Sequence, residues 1–191
     1  MTVFNCDICG TYQSSNNINR ENNIQKFVYE LNKVCNNLNI KDLPFRFFST
    51  ADLKYVQLSA NELRPYLYNT PIRITSLFSE DYQQKDDIVN KTTSKVKTNQ
   101  IINKIEADIT NNKQLERIIY ADDQYLNVII IKNYIELTHP EIEFIGLIPG
   151  YSGEVEENIY ASIKTGLEGL IETIESYNNL LENKKNNSLK R

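Results

Sequence analysis

The sequence predicts an α/β protein, one domain built on a parallel sheet of five strands with helices between them. Three observations predict it. The first is the stretch Val3-Phe4-Asn5-Cys6-Asp7-Ile8-Cys9-Gly10-Thr11. A short apolar run stopped by glycine reads as a buried strand whose C-terminal end opens into a loop. The second is the alternation of strand-length apolar runs with stretches of helical spacing, which calls for parallel strands and right-handed crossovers. The third is size: 191 residues suit one domain with a sizeable core, and no linker or internal repeat divides them.

The elements follow in order. Residues 12–22 are polar and Asn-rich, a loop. Ile24, Phe27, Val28, Leu31, Val34, Cys35 and Leu38 then share one helical face. Pro44 opens a second strand, 45–48, which closes on Ser49-Thr50, and Asp52 is placed to cap a helix over about 53–63. Pro71 precedes a third strand, 72–78. Residues 79–94 are charged and aperiodic and predict a short flap. A helix with Ile101, Ile102, Ile105 and Ile109 inward leads to a fourth strand, 117–121, ending in Asp122-Asp123. Residues 124–137 read as partly helical, and 142–148 as a fifth strand stopped by Pro149-Gly150. Residues 154–182 predict a final amphipathic helix, broken near Gly166 and Gly169, before a lysine-rich tail (183–191) expected to fray. The domain thus runs over 1–182.

Composition excludes some functions. The net charge of −4 argues against a general nucleic-acid coat, which needs clustered Lys and Arg. No apolar run approaches the roughly 18 residues of a membrane helix, so no membrane partner is expected. The start of the chain lacks the basic and apolar regions of a signal peptide. Three cysteines, an odd number, do not suggest a disulfide framework, so the cytoplasm is the default. Cys6-x-x-Cys9 could mark a redox pair or half a zinc site, but no second pair accompanies it, and Cys35 and His139 are remote. His139, beside Pro140, reads as a loop residue.

Carboxylates at strand ends carry the chemistry. In open α/β sheets, ligands sit outside the carboxyl ends of the strands, which is where Asp7 and Asp122 fall. Read alone, each candidate also has a plain structural role. Asp7 suits a turn, Ser49-Thr50-Ala51-Asp52 an ordinary helix start, Lys97 a solvated face, and Asp122-Asp123 a helix cap.

Asp7-x-x-Gly10-Thr11 on a first strand resembles the nucleophile motif of the haloacid dehalogenase (HAD) superfamily of phosphohydrolases. Three further parts occur in the family's order. Ser49, with Thr50 as alternate, ends strand two. Lys97-Thr98-Asn99-Gln100-Ile101 is similar to the family's lysine motif just before a helix, with Lys95 as alternate. Asp122-Asp123-Gln124-Tyr125-Leu126-Asn127 is similar to its acidic motif. The resemblance spans roughly residues 1–175. It implies a three-layer, doubly wound five-stranded sheet (a HAD-like Rossmannoid) of order 5-4-1-2-3, with strand one central. It implies Mg²⁺ held by Asp7, the Cys9 carbonyl, Asp122 and Asp123, a hard cation on oxygen ligands. Asp7 would attack phosphorus, Ser49 would donate to a phosphoryl oxygen, and Lys97 would hold phosphate and carboxylates together by charge. Gly10, Thr11, Thr50 and Asn127 would contact substrate.

Two departures shape the expectation. Many family phosphatases carry an acid-base aspartate two residues after the nucleophile, where this chain has Cys9. A thiol of pKa about 8.5 protonates a leaving alkoxide poorly. The alternatives are therefore a binding or assembly protein with weak or lost turnover, and a dehalogenase- or phosphonatase-like hydrolase. The second departure is a missing cap: 12–22 is too short for one, and 79–94 allows only a flap. An open site suits a phosphorylated macromolecule as well as a small phosphorylated substrate, or a cap borrowed from another copy in a homo-oligomer.

Overall fold

Residues 1–13, 18–49, 53–79, 91–111 and 114–188 are described by a computed structural model of the chain. In chain order the elements are β1 (Thr2–Asp7), α1 (Arg20–Leu38), β2 (Leu43–Ser49), α2 (Leu53–Leu63) with a 3-10 turn (Arg64–Tyr66), and β3 (Ile72–Ser79). Then come α3 (Lys91–Asn111), β4 (Arg117–Ala121), α4 (Tyr125–Thr138), β5 (Glu143–Pro149), β6 (Ile159–Ser162) and α5 (Gly166–Ser188). The strands form one parallel sheet of order β3-β2-β1-β4-β5-β6, with helices on both faces.

The sheet has six strands, not the five expected. The other five stand in the expected order, and the addition is β6, a four-residue edge strand beside β5. Its sequence, Ile-Tyr-Ala-Ser, is too short for an alternation test and lies inside 154–182, where longer helical spacing dominates. The final helix begins only at Gly166, whose φ of 62° marks the turn into it, and it continues to Ser188. The flap expected over 79–94 is helix α3 from Lys91 onward. Its centre, 80–90, lies outside the described residues, as do Thr50, Asp52 and the chain end at 189–191.

Alternation along the strands sorts the core into two layers. Phe4, Cys6, Phe45, Phe47, Ile119 and Ala121 face α1, α2 and α5. Val3, Phe48, Ile118, Tyr120 and Phe144 face α3 and α4. The second layer also holds polar groups. The Arg46 guanidinium forms a buried ion pair with Asp108 of α3 and lies 3.5 Å from Asn5 Oδ1. Among its inward isoleucines, Ile101 and Ile105 are buried while Ile102 and Ile109 are half-buried. So α3 is fastened by charge as well as by apolar contact. Asp108 lies three helical turns beyond Lys97, on the same face, so the pair sets the register that presents Lys97.

His139 caps the end of α4, and its Nε2 lies 2.7 Å from Glu106 Oε1 on α3. No described helix is long and apolar enough to cross a membrane.

Candidate active site

Three strand ends and one helix build the site. β1 and β4 are hydrogen-bonded neighbours with Cys6 opposite Ala121, so the residue after each, Asp7 and Asp122, emerges side by side. Both carboxylates are buried. Lys97 reaches down from α3, its Nζ 3.0 Å from Asp7 Oδ1 and 3.0 Å from Asp122 Oδ2. It lies in the second turn of α3, not just before the helix as expected, because α3 begins six residues earlier. The ammonium also sits over the Phe48 ring, 5.3 Å from its centroid.

The two carboxylates are held differently. Asp122 is fully engaged: it accepts from the Tyr120 hydroxyl at 2.9 Å, the Gln124 N–H at 2.9 Å and the Asn127 amide at 3.1 Å. Asp7 has the Lys97 ion pair, but its Oδ2 is buried with no hydrogen-bond partner among the described residues. A buried acceptor left unsatisfied costs free energy, so such an atom marks a place that a ligand completes. Burial raises the Asp7 carboxyl well above the usual range, the Asp122 charge raises it further, and Lys97 offsets only part of this. Lys97 is disfavoured by burial, but Asp122 and Asp7 outweigh that and hold it above the ordinary lysine value.

Asp123 completes the cluster. One oxygen from each of Asp7, Asp122 and Asp123 lies within 4.8 Å of the others, close enough for one cation. Asp123 is half-buried, and burial followed by the Asp122 charge pushes its carboxyl up to about 6.

The loop after β1 wraps this cluster. The Tyr12 and Gln13 N–H groups both donate to the Ile8 carbonyl, and Gly10 N–H donates to Gln13 O. Gly10 has φ of 80°, and a Cβ there would collide with the Asp123 carboxylate. The backbone thus requires glycine, and any side chain there would also have to push the Asp123 carboxylate aside. We expect Gly10→Ala to lose about 1–2 kcal/mol in chemical denaturation from the backbone strain alone, and to weaken any cation-induced stabilisation by displacing Asp123. A variant as stable as wild type would contradict this packing.

The remaining candidates fall around the rim. Thr11 is buried, its Oγ1 without a partner among the described residues. Ser49 ends β2 beside Asp7, and its Oγ lies 3.4 Å from the exposed Cys9 thiol. Asn127 is fully buried and turned to Asp122 and to Gln124 Oε1. It therefore steadies a carboxylate. Cys6 is buried and Cys9 exposed, and both are free thiols. Sequence reasoning missed Tyr120, though its position two before Asp122 on a strand put it on the same face.

No family model matches the chain, and neither the curated proteins nor the solved structures contain a match to it.

Proposed function

We propose that this chain is a Mg²⁺-dependent phosphohydrolase similar to the HAD superfamily, minimal in cap, acting through an aspartyl-phosphate at Asp7. The observation that carries the reading is the asymmetry of Asp7 and Asp122. Two carboxylates from neighbouring strand ends share one lysine, yet only Asp7 keeps an oxygen without a hydrogen bond. A free carboxylate oxygen beside a cation is what a nucleophile toward phosphorus needs. The strand order, with β1 central, supports the same reading.

The residues divide the work. Asp7, Asp122 and Asp123, all hard oxygen donors, would hold Mg²⁺, with the Cys9 carbonyl joining by resemblance. The bound cation would offset phosphate charge at this acidic cluster. Asp7 Oδ2 attacks phosphorus, the bond from phosphorus to the leaving oxygen breaks, and that oxygen departs with the electron pair. Water then attacks the phosphorus, releases phosphate and regenerates the Asp7 carboxylate. Lys97 stabilises charge on the phosphoryl oxygens, and Ser49 donates to one of them. Tyr120, Gln124 and Asn127 act by fixing Asp122. Three free thiols suit a reducing compartment such as the cytoplasm.

The test is thermal. Millimolar Mg²⁺ should raise the melting temperature by a few degrees, because a ligand that binds only the folded state stabilises it by mass action. Asp122→Asn should abolish that shift, and EDTA should reverse it. An unchanged melting temperature, or a wild-type response in Asp122→Asn, removes the metal from this reading.

One observation favours a second reading, a binding or assembly protein without turnover. The position two residues after Asp7 holds a thiol engaged with Ser49 and offers no carboxylic acid.

A further inference from the structure

At the opposite end of the sheet from the carboxylates, the turn after α2 and the start of β3 enclose a hollow of about 400 Å³. Its floor is Leu67, Ile72 and Ile74, and Arg64, Tyr68 and Arg73 line it too. Ile72 is buried and Leu67 and Ile74 are half-buried, so the floor is apolar. Tyr68 is 84% exposed, a large ring standing free at the rim.

The charge here is unusual for this chain. Five of its arginines are described, and Arg20, Arg46 and Arg117 each pair with a carboxylate. The other two, Arg64 and Arg73, have no carboxylate partner among the described residues, and both line this one hollow. Arg64 donates to Asn61 Oδ1, and Arg73 to the Thr70 and Ile72 carbonyls. Guanidinium groups present paired donors that match carboxylates, and a net charge of −4 makes two adjacent unneutralised arginines conspicuous.

The wall is built in advance. Leu67 N–H donates to Arg64 O, Thr70 N–H and Oγ1 to Leu67 O, and Ile72 N–H to Thr70 Oγ1. Asn69 takes the positive φ of 58° that the turn needs. A pre-formed surface loses little entropy on binding. Exposed tyrosine and arginine around an apolar centre are the residue types that anchor protein interfaces.

We propose that this hollow docks an acidic segment of a partner protein. One apolar side chain of the segment enters between Leu67, Ile72 and Ile74, and carboxylates on either side meet Arg64 and Arg73. The open shape and the exposed Tyr68 ring suit a segment crossing the surface. The site lies apart from the carboxylate cluster and needs no hydrolytic activity.

The experiment uses the full chain and a fluorescent peptide containing Asp-Glu-Leu-Glu-Asp, read by anisotropy. Binding should be measurable below about 1 mM and weaken at least tenfold in Arg64→Glu/Arg73→Glu. It should also weaken severalfold between low and high salt, because the pairs are exposed. Replacing the central leucine by asparagine should weaken it again. The double variant loses only the hydrogen bonds to Asn61 Oδ1 and to the Thr70 and Ile72 carbonyls and no ion pair, so it should stay folded, with its melting temperature lowered by no more than a few degrees. Absence of binding, or equal binding by a folded double variant, overturns the proposal. So does competition by inorganic phosphate as strong as by unlabelled peptide, which would mean a small-anion site. A dimer in light scattering that the double variant abolishes would assign the face to a second copy and also overturn it.

Discussion

Asp7→Asn should abolish phosphate-ester hydrolysis while leaving the metal-free protein at least as stable as wild type. The two halves have one cause. Both Asp7 carboxylate oxygens are buried without a hydrogen-bond partner among the described residues, Oδ1 having the Lys97 ion pair and Oδ2 none. An amide oxygen in its place is neutral and a far weaker nucleophile, so the covalent step is lost. The same substitution removes a carboxylate whose ionised form the fold disfavours. Burial and the Asp122 charge raise its folded pKa above the unfolded value. A raised carboxyl costs stability at pH above the unfolded value, so its deletion should not lower stability near neutrality. Lys97→Met is the contrasting variant. It leaves Asp7 and Asp122 buried without their cation, and breaking a buried pair costs about 3–5 kcal/mol. Denaturant melts and nitrophenyl phosphate turnover, measured together, separate the two. If Asp7→Asn hydrolyses at the wild-type rate, the nucleophile is assigned wrongly. If it is as unstable as Lys97→Met, the asymmetry read from the hydrogen bonds is wrong.

What the sequence disclosed depended on how local each signal was. Asp7 and Asp122 were legible because each ends an apolar run, and a strand end next to a polar loop is a local pattern. Their adjacency required only the strand order, which alternation of strands and helices constrains. Lys97 was legible as a residue but not as a position. The helix carrying it starts at Lys91, within charged residues that show no apolar spacing. The pair that registers this helix, Arg46 with Asp108, joins residues 62 apart, and no local pattern foretells such a partner. β6 escaped because a four-residue edge strand carries too few alternations to stand against helical spacing on its C-terminal side. Asn127 shows the limit for roles: the motif supplied the residue, but only geometry turned its amide onto Asp122.

Cys9→Asp should raise turnover of alkyl phosphates by about 10²- to 10⁴-fold, the usual worth of general acid catalysis, and turnover of aryl phosphates far less. A nitrophenolate leaves without a proton, whereas an alkoxide needs one. Cys9 stands two residues after Asp7, exposed, with its thiol against Ser49 Oγ at 3.4 Å. A thiol is a poor general acid for a leaving alkoxide. A carboxyl there can act as an acid and return as a base. The wild type should therefore prefer leaving groups that stabilise their own negative charge, and the variant should lose that preference. The ratio of aryl to alkyl kcat/KM is the quantity to follow, since it cancels differences in folding and in active fraction. An unchanged ratio in a variant that still responds to Mg²⁺ would mean that proton transfer does not limit the reaction. If wild type and Cys9→Asp both leave every ester intact while Mg²⁺ still raises the melting temperature, the cluster holds its cation for binding alone. The chain would then be better read as an assembly protein, in which the lysine-bridged carboxylates stabilise a surface and Cys9 replaces an acid no longer needed.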